Sequence, residues 1–442
     1  MTSAAMRESN TRSFDPDALR EKYRIERDKR IRSDGNDQYV EVSGDFSHYV
    51  DDPYITPGLT RESITRDVEV VIIGGGFGGM LAAARLQEAV ITDFTLIEKG
   101  GGFGGTWYWN RYPGASCDIE AYVYLPLLEE TGFIPQQKYT NAEETLEYCE
   151  VLAQRYGLHE HALLQTQVKK VVWQESSRRW QVTTDRGDVL HARFVIHSNG
   201  PLNRPKLPGI KGIDQFKGHT FHTSRWDYAY TGGNTFGGLS QLSDKRVAVI
   251  GTGATAVQCV PHLAESAKAL YVFQRTPSSI DVRNNQPTDP NWISQQPAGW
   301  QKRRQTNFES IMSGAPVKED LVGDGWTEAF RNLFGSIGEL MPSKARLAMW
   351  AVQGVFSSKR RERGLRQYLT DRAIQYMGLI QKMEMADFNK MEKVRARADE
   401  LIADKLTAES LKPYYRQFCK LPCFLDEYLQ SFNRDNVTLV DT

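Results

Sequence analysis

Two glycine-rich turns, each set between a run of β-branched residues and a run of helix formers, constrain this chain most. The first is Gly74-Gly75-Gly76-Phe77-Gly78-Gly79 and the second is Gly251-Thr252-Gly253-Ala254-Thr255-Ala256. A strand that feeds a helix through such a turn opens a βαβ unit. The first glycine permits the bend, the second lets the backbone approach a pyrophosphate, and the third position lets helix and strand pack closely. Gly74, Gly76 and Gly79 fill these positions in the first turn. Gly251, Gly253 and Ala256 fill them in the second, where alanine is tolerated. Each helix then presents free N–H groups and its positive dipole end to phosphate. One such turn suits many enzymes. Two in one chain imply two nucleotides held face to face. The expected fold is α/β, with two dinucleotide-binding, Rossmann-like domains of the flavoprotein type and a helical insertion.

The residues around each turn sharpen the assignment. Residues 67–75 read as a buried parallel strand, 80–88 as a helix and 94–98 as the next strand. Glu98 falls about 20 residues past the turn, where an acid holds a ribose hydroxyl pair. The second unit runs through 245–250, a helix to about 264, and 269–274. It ends in Gln274-Arg275-Thr276 rather than in an acid. An arginine there suits a 2′-phosphate, so NADPH is preferred over NADH. The competing reading of Arg275 as a surface charge is weaker, given its place in the unit. Thr252, Ala254, Thr255, Val257 and Gln258 line the same turn and the start of its helix. Between the units, Thr106-Trp107-Tyr108-Trp109 and the glycines on either side suit a loop closing on a flat ring. An aromatic core loop is the competing reading, and the position after Glu98 favours the ring. Asp118, Tyr122 and Tyr124 follow as candidate hydrogen-bonding partners for a flavin.

Composition excludes several classes. Lys+Arg and Asp+Glu are 55 each, so no global field favours nucleic acid or an anionic membrane. The five cysteines are scattered, and Cys419 and Cys423 have no His or Cys pair nearby to complete a metal site. They read as reduced thiols. No run of about 18 apolar residues occurs and the N-terminus lacks an apolar signal core, so a cytoplasmic protein is expected. Residues 1–14 read as disordered. Asp15-Pro16 starts a charge-laced helix to about Arg32 that clasps the main body. Residues 168–173, 180–184 and 189–197 suggest an antiparallel excursion from the parallel sheet. From about 300 to 412 the chain turns helical, and Val394, Ala398, Leu401 and Ile402 show one apolar face. The expected division is 1–64 as an N-terminal extension and 65–205 as the FAD domain. Residues 206–290 form a linker and the NADPH domain, 291–412 a helical insertion, and 413–442 a return segment.

Between the two turns lies Phe216-Lys217-Gly218-His219-Thr220-Phe221-His222-Thr223-Ser224-Arg225-Trp226-Asp227. Its Phe-x-Gly-x-x-x-His-Thr-x-x-Trp-Asp pattern resembles the fingerprint of type I Baeyer–Villiger monooxygenases. The resemblance runs from about residue 16 to the end. Gly323-Asp324-Gly325-Trp326 and Cys419-Lys420-Leu421-Pro422-Cys423-Phe424 look most like members acting on large cyclic or polycyclic ketones, including fungal meroterpenoid enzymes. The resemblance implies FAD, NADPH and O2 as co-substrate, with one oxygen inserted beside a ketone carbonyl to give an ester or lactone. It also implies residue roles. Thr106, Trp107, Tyr108, Trp109, Asp118, Ile119 and Tyr124 would contact FAD. Ser116, Cys117 and Asp118 would lie near NADP. Lys420 and Arg275 would grip its 2′-phosphate, and Thr276 would contact the same nucleotide. His222 would couple domain motion rather than transfer a proton.

Two departures accompany the resemblance. The family pattern places an arginine after the lysine at Lys420, partnered by Asp118, to stabilise charge on activated oxygen. Here that position is Leu421, which carries no donor. Losing one such preorganised donor costs roughly 10²–10³ in rate. Leu425 likewise stands where related sequences often carry histidine. The second departure is length: family members continue past residue 442. The expectation is that a partner covers the sheet edges this leaves, or that the chain is a degenerate member, inactive or an uncoupled NADPH oxidase.

Overall fold

The computed structural model describes residues 14–55, 58–315, 317–334 and 358–442. A strand of nine residues, β1 (Thr65–Ile73), forms the centre of the first sheet. Its apolar run leaves Val71 and Ile72 fully enclosed, as expected of a strand covered on both faces. The remaining strands of this sheet are β2 (Phe94–Ile97), β3 (Ala162–Leu163), β4 (Val168–Gln174), β5 (Arg179–Thr184) and β6 (Val189–His197), and the order is β3-β2-β1-β6-β5-β4. Ile72 lies opposite Leu96 on one side and Ile196 on the other, both in parallel register. The β4-β5-β6 meander is antiparallel, as the three β-rich runs over 168–197 suggested.

The second sheet is smaller. It comprises β7 (Arg246–Ile250), β8 (Ala269–Gln274) and, after a long excursion, β11 (Val437–Asp441), all parallel. The excursion includes β9 (Ile280–Asp281) and β10 (Cys423–Phe424), a two-residue parallel pair. That pair has no readable period, and it draws the 420–425 segment against the second unit. A further short antiparallel pair, Tyr39–Glu41 with Lys206–Pro208, was equally invisible in sequence.

Five helices matter for the site. Helix α1 (Pro16–Arg30) starts as expected, with the Asp15 carboxylate accepting from Asp17 N at 2.9 Å. It ends two residues earlier than its charge pattern suggested. Its Tyr23 meets Phe388 edge-on at 5.5 Å, so the extension is clasped to the body. The expected disorder over 1–14 falls outside the described residues except at Phe14, which packs on the same Phe388 ring. Helices α2 (Phe77–Glu88) and α3 (Ala254–Ser266) follow the two glycine turns. Helix α4 (Trp300–Met312) and the 44-residue α5 (Ser358–Leu401) belong to the helical region. Val394 and Ala398 in α5, and Ile402 just beyond it, are buried as their spacing required, and Leu401 is half-buried. Among the described residues no helix is long and apolar enough to cross a membrane.

One apolar cluster joins the units. Trp107, Tyr112, Ala115 and Cys117 from the first share it with Val257, Val260 and Leu263 from α3, and with Cys423 and Tyr428.

Candidate active site

The first turn is built for close approach. Gly74 sits at φ +109°, and a Cβ there would lie 2.4 Å from Ser198 O. A Cβ on Gly79 would lie 1.8 Å from Gly74 O, so helix and strand touch backbone to backbone. Gly76 caps α2 without any side-chain acceptor, leaving the first-turn amides free. Glu98 closes β2 and is buried. Its Oε2 accepts from Gly75 N at 2.6 Å and its Oε1 from Gly100 N at 2.7 Å.

The aromatic loop folds beside this turn. Thr106–Trp109 makes one helical turn, and Thr106 O accepts from Asn110 Nδ2 at 2.8 Å. Trp107 Nε1 donates to Tyr124 OH at 2.9 Å, which pairs two residues expected to share one ligand. The Tyr108 hydroxyl accepts from Gly101 N and donates to Asp52 Oδ2, both at 2.8 Å. Trp109 is flanked by Arg225 at 3.7 Å and Lys99 at 5.0 Å.

The second turn repeats the arrangement. Gly251 has φ +106°, and a Cβ on Gly253 would meet nothing within 4 Å. Gly253 caps α3 with no side-chain partner, and Ala256, Val257 and Gln258 bury the base of the helix, with Ala254 partly buried and Thr255 beside them. Thr252 Oγ1 donates to Thr276 O at 2.7 Å. Lys420 Nζ donates to Thr276 O at 2.7 Å, Thr252 O at 3.1 Å and Thr252 Oγ1 at 3.2 Å. Lys420 thus braces the turn, and burial lowers its pKa to about 8. Arg275 hydrogen-bonds Gln38, and its carbonyl accepts from Arg30 Nε of α1 at 2.8 Å. Both turns therefore fit a dinucleotide: each is an uncapped helix start behind a glycine that leaves room for phosphate.

A polar seam joins them. Tyr112 OH donates to Gln258 Oε1 at 2.8 Å, and Gln258 Nε2 donates to Ser116 O at 2.9 Å. Arg283 Nη1 donates to Ser116 Oγ at 2.7 Å, and its Nη2 donates to Cys117 O. Ile119 packs on the shared apolar cluster. Burial pushes the Cys117 thiol up to about 12. Asp118 is raised to about 6 by desolvation, which the Arg283 charge only partly opposes. Leu421 is 56% exposed and carries no polar side-chain group. Leu425 packs at the edge of the shared cluster.

The linker fingerprint takes a structural form. His222 Nδ1 accepts from Ser224 N at 3.1 Å and caps a single turn, Thr223–Arg225. Burial, then the neighbouring Arg225, lowers its pKa to about 4, so the ring is neutral at ordinary pH. Trp226 is buried, and its Nε1 donates to Thr231 Oγ1 at 3.1 Å. Sequence reasoning missed Arg225 and Arg283. Arg225 lies inside the fingerprint and reaches the aromatic loop, so its position was the signal. Arg283 had none beyond its charge.

A mixed sheet and a parallel sheet, each with an uncapped glycine turn and joined through a polar seam, fit a flavoprotein oxidoreductase of the two-dinucleotide kind. Residues 71–295 match the pyridine nucleotide-disulphide oxidoreductase family. Neopentalenolactone D synthase of Streptomyces avermitilis is 51% identical over 429 residues, covering 97% of this chain and 67% of that protein. Ketocytochalasin monooxygenase of Aspergillus clavatus is 41% identical, covering 98% of this chain and 64% of that protein. The polycyclic ketone monooxygenase of Thermothelomyces thermophila superposes with a TM-score of 0.82 at 38% identity, covering 96% of this chain and 67% of that one. The OTEMO complex with FAD and NADP gives 0.62 at 30% identity, over 85% of this chain and 65% of that one. The chain belongs to the Baeyer–Villiger monooxygenases, a family of FAD- and NADP-dependent flavoenzymes. It spans about two thirds of the length of the curated relatives it matches. These relatives do not favour the alternative of an inactive or uncoupled homologue.

Proposed function

We propose that this chain belongs to an enzyme that inserts one oxygen of O2 beside the carbonyl of a cyclic or polycyclic ketone. The product is an ester or lactone, made in secondary metabolism. The observation that carries the reading is the pair of uncapped glycine turns, in units joined by the Tyr112–Gln258–Ser116 seam. The names of the similar proteins, a pentalenolactone-type synthase and a polycyclic ketone monooxygenase, support the substrate class.

FAD and NADPH, when bound, supply the electrons and the activation of oxygen. The protein supplies binding and orientation. The free amides of α2, behind Gly76, take the FAD pyrophosphate, and Glu98 at the end of β2 orients the ribose. Trp107, Tyr108, Trp109 and Tyr124 wall the ring system from water. The amides of α3, behind Gly253, take the second pyrophosphate. Arg275 holds the 2′-phosphate, while Lys420 keeps the turn in shape from beneath. His222 is a positioning residue: neutral and capping its own turn, it orders the stretch that carries Arg225 onto Trp109. The five free cysteines, four of them buried, accord with a cytoplasmic setting.

An absorbance spectrum followed by anaerobic NADPH addition tests the reading. Flavin bands that bleach with NADPH are expected. A colourless protein that takes up no FAD overturns it.

A further inference from the structure

Arg283 and Asp118 influence one another through space without an ion pair. Arg283 is 9% exposed and has no carboxylate partner among the described residues. Both Nη groups are committed to the 116–117 loop of the first unit, to Ser116 Oγ at 2.7 Å and to Cys117 O. Its Nε is buried without a partner. The Tyr139 ring lies 5.3 Å from the guanidinium. The backbone N–H of Arg283 donates to Asp426 Oδ1 at 3.2 Å, which anchors its strand end to the return segment. The same residue lines a cavity of about 870 Å³ between the second unit and the 311–331 segment. The Asp118 carboxylate makes no hydrogen bond or ion pair among the described residues. Among the described residues, Tyr112, Cys117, Cys423 and Arg283 feel its charge. The first three are neutral, and Arg283 is the one cation among the described residues that acts on it.

We propose that Arg283 is the positioning residue for Asp118: it ties the 116–118 loop to the second unit and supplies the positive charge that Leu421 does not. The inference rests on reading that loop as part of the oxygenation site. Yet the charge relation itself exists in the protein without any nucleotide, so it can be tested separately. A half-buried, desolvated carboxylate is ionised at neutral pH more readily with the Arg283 guanidinium nearby than without it. Arg283 reaches the loop from the opposite nucleotide unit. Loosening the seam therefore weakens the counter-charge as well as the hydrogen bonds.

The test is thermal unfolding of the full chain between about pH 5 and pH 8, with no nucleotide added. The four proteins are the parent, Arg283→Met, Asp118→Asn and the double variant. Asp118 has a folded pKa above its unfolded value, so its ionisation destabilises the fold as pH rises. Without Arg283 its proton affinity should rise by about tenfold or more, one pKa unit. The melting-temperature deficit of Arg283→Met is then small near pH 5 and grows toward pH 8. In the Asp118→Asn background that growth disappears. Arg283→Lys, which keeps the charge and loses the fork, should show a deficit with little pH dependence. A deficit equal at both pH values, or unchanged by Asp118→Asn, overturns the proposal. If Arg283→Met folds near pH 5 or in the Asp118→Asn background but not near pH 8, the proposal holds. If it folds under none of these conditions, its role is structural and the proposal fails. A chain that binds no FAD would remove the proposed function and leave this result readable.

Discussion

Tyr112 and Gln258 close one hydrogen bond of 2.8 Å between the two nucleotide units. Tyr112 lies in the loop that follows the first unit's turn, and Gln258 lies one helical turn into α3. Gln258 passes the connection on to Ser116 O through its other amide atom. Both polar ends are enclosed in the apolar cluster that joins the units, so neither can exchange its partner for water.

Gln258→Leu should therefore cost more than a surface change. It leaves the Tyr112 hydroxyl and the Ser116 carbonyl without their seam partner, at about 1–3 kcal/mol for a buried group left unsatisfied. Thermal or denaturant unfolding measures this. A cost within about 0.5 kcal/mol, the usual range for surface substitutions, would mean the seam is held by its apolar contacts alone.

The first turn offers a sharper test. Gly76→Asp puts a carboxylate where the uncapped amides of α2 face the pyrophosphate, and flavin content after purification should fall to background. Gly79→Ala acts differently, because its methyl would sit 1.8 Å from Gly74 O and force strand and helix apart. It should lower both flavin content and melting temperature. Normal flavin content in the aspartate variant would refute the first-site assignment.

These tests bear on residues that sequence made legible, for a physical reason. Gly74, Gly76, Gly251 and Gly253 were readable because a tight turn beside phosphate admits few alternatives, and each sat between periodic segments. The parallel strands around them read as continuous apolar runs for the same reason that Val71 and Ile72 are fully buried. The β9-β10 pair was not readable. Two residues carry no period, and the contact of Ile280 with Cys423 spans 143 positions of sequence. Arg283 was hidden for a related reason. Its importance comes from meeting Ser116, 167 residues away, and nothing local marks that meeting. Lys420 was legible as a nucleotide-side cation, but its three bonds to Thr252 and Thr276 follow only from the way 420–425 lies against the second unit.

The acid limb of the stability curve should carry a signature of Asp188. The Arg61 hydrogen bonds, with further ones from Thr184 and the Ile64 amide, lower its pKa to about 2. A lowered carboxylate pKa stabilises the fold above the unfolded value of about 3.9. That contribution is lost as pH falls toward 2. Arg61→Met should bring the loss to higher pH, and Asp188→Asn should flatten the limb between about pH 4 and 2. Melting temperature against pH reads both, and parallel curves for parent and variants would count against the pair.

Arg275 gives a test of nucleotide choice. Among the described residues it pairs with no carboxylate, and its side chain rests on Gln38. Arg275→Ala should weaken NADPH by roughly tenfold, the scale of one charge-assisted contact of about 1.5 kcal/mol. NADH, which lacks the phosphate, should be nearly unaffected. Dissociation constants for the two nucleotides decide it, and an equal loss for both removes the 2′-phosphate role.

Leu421 poses the last test. Its side chain is 56% exposed, so an arginine can be placed there without displacing packed neighbours. The adjacent Lys420 is already fixed to the second turn. Leu421→Arg restores the donor and positive charge that the family pattern places after the lysine. If charge at this position limits the oxygen step, the ratio of lactone or ester to hydrogen peroxide should rise. The ceiling is roughly 10²-fold, on the scale of one preorganised donor. The gain should be larger in an Arg283→Lys background, where the resident cation is less well placed. Chromatographic product yield and peroxide release, measured against NADPH consumed, give the ratio directly. No gain in either background would mean that charge at position 421 is not what limits the chemistry of this chain.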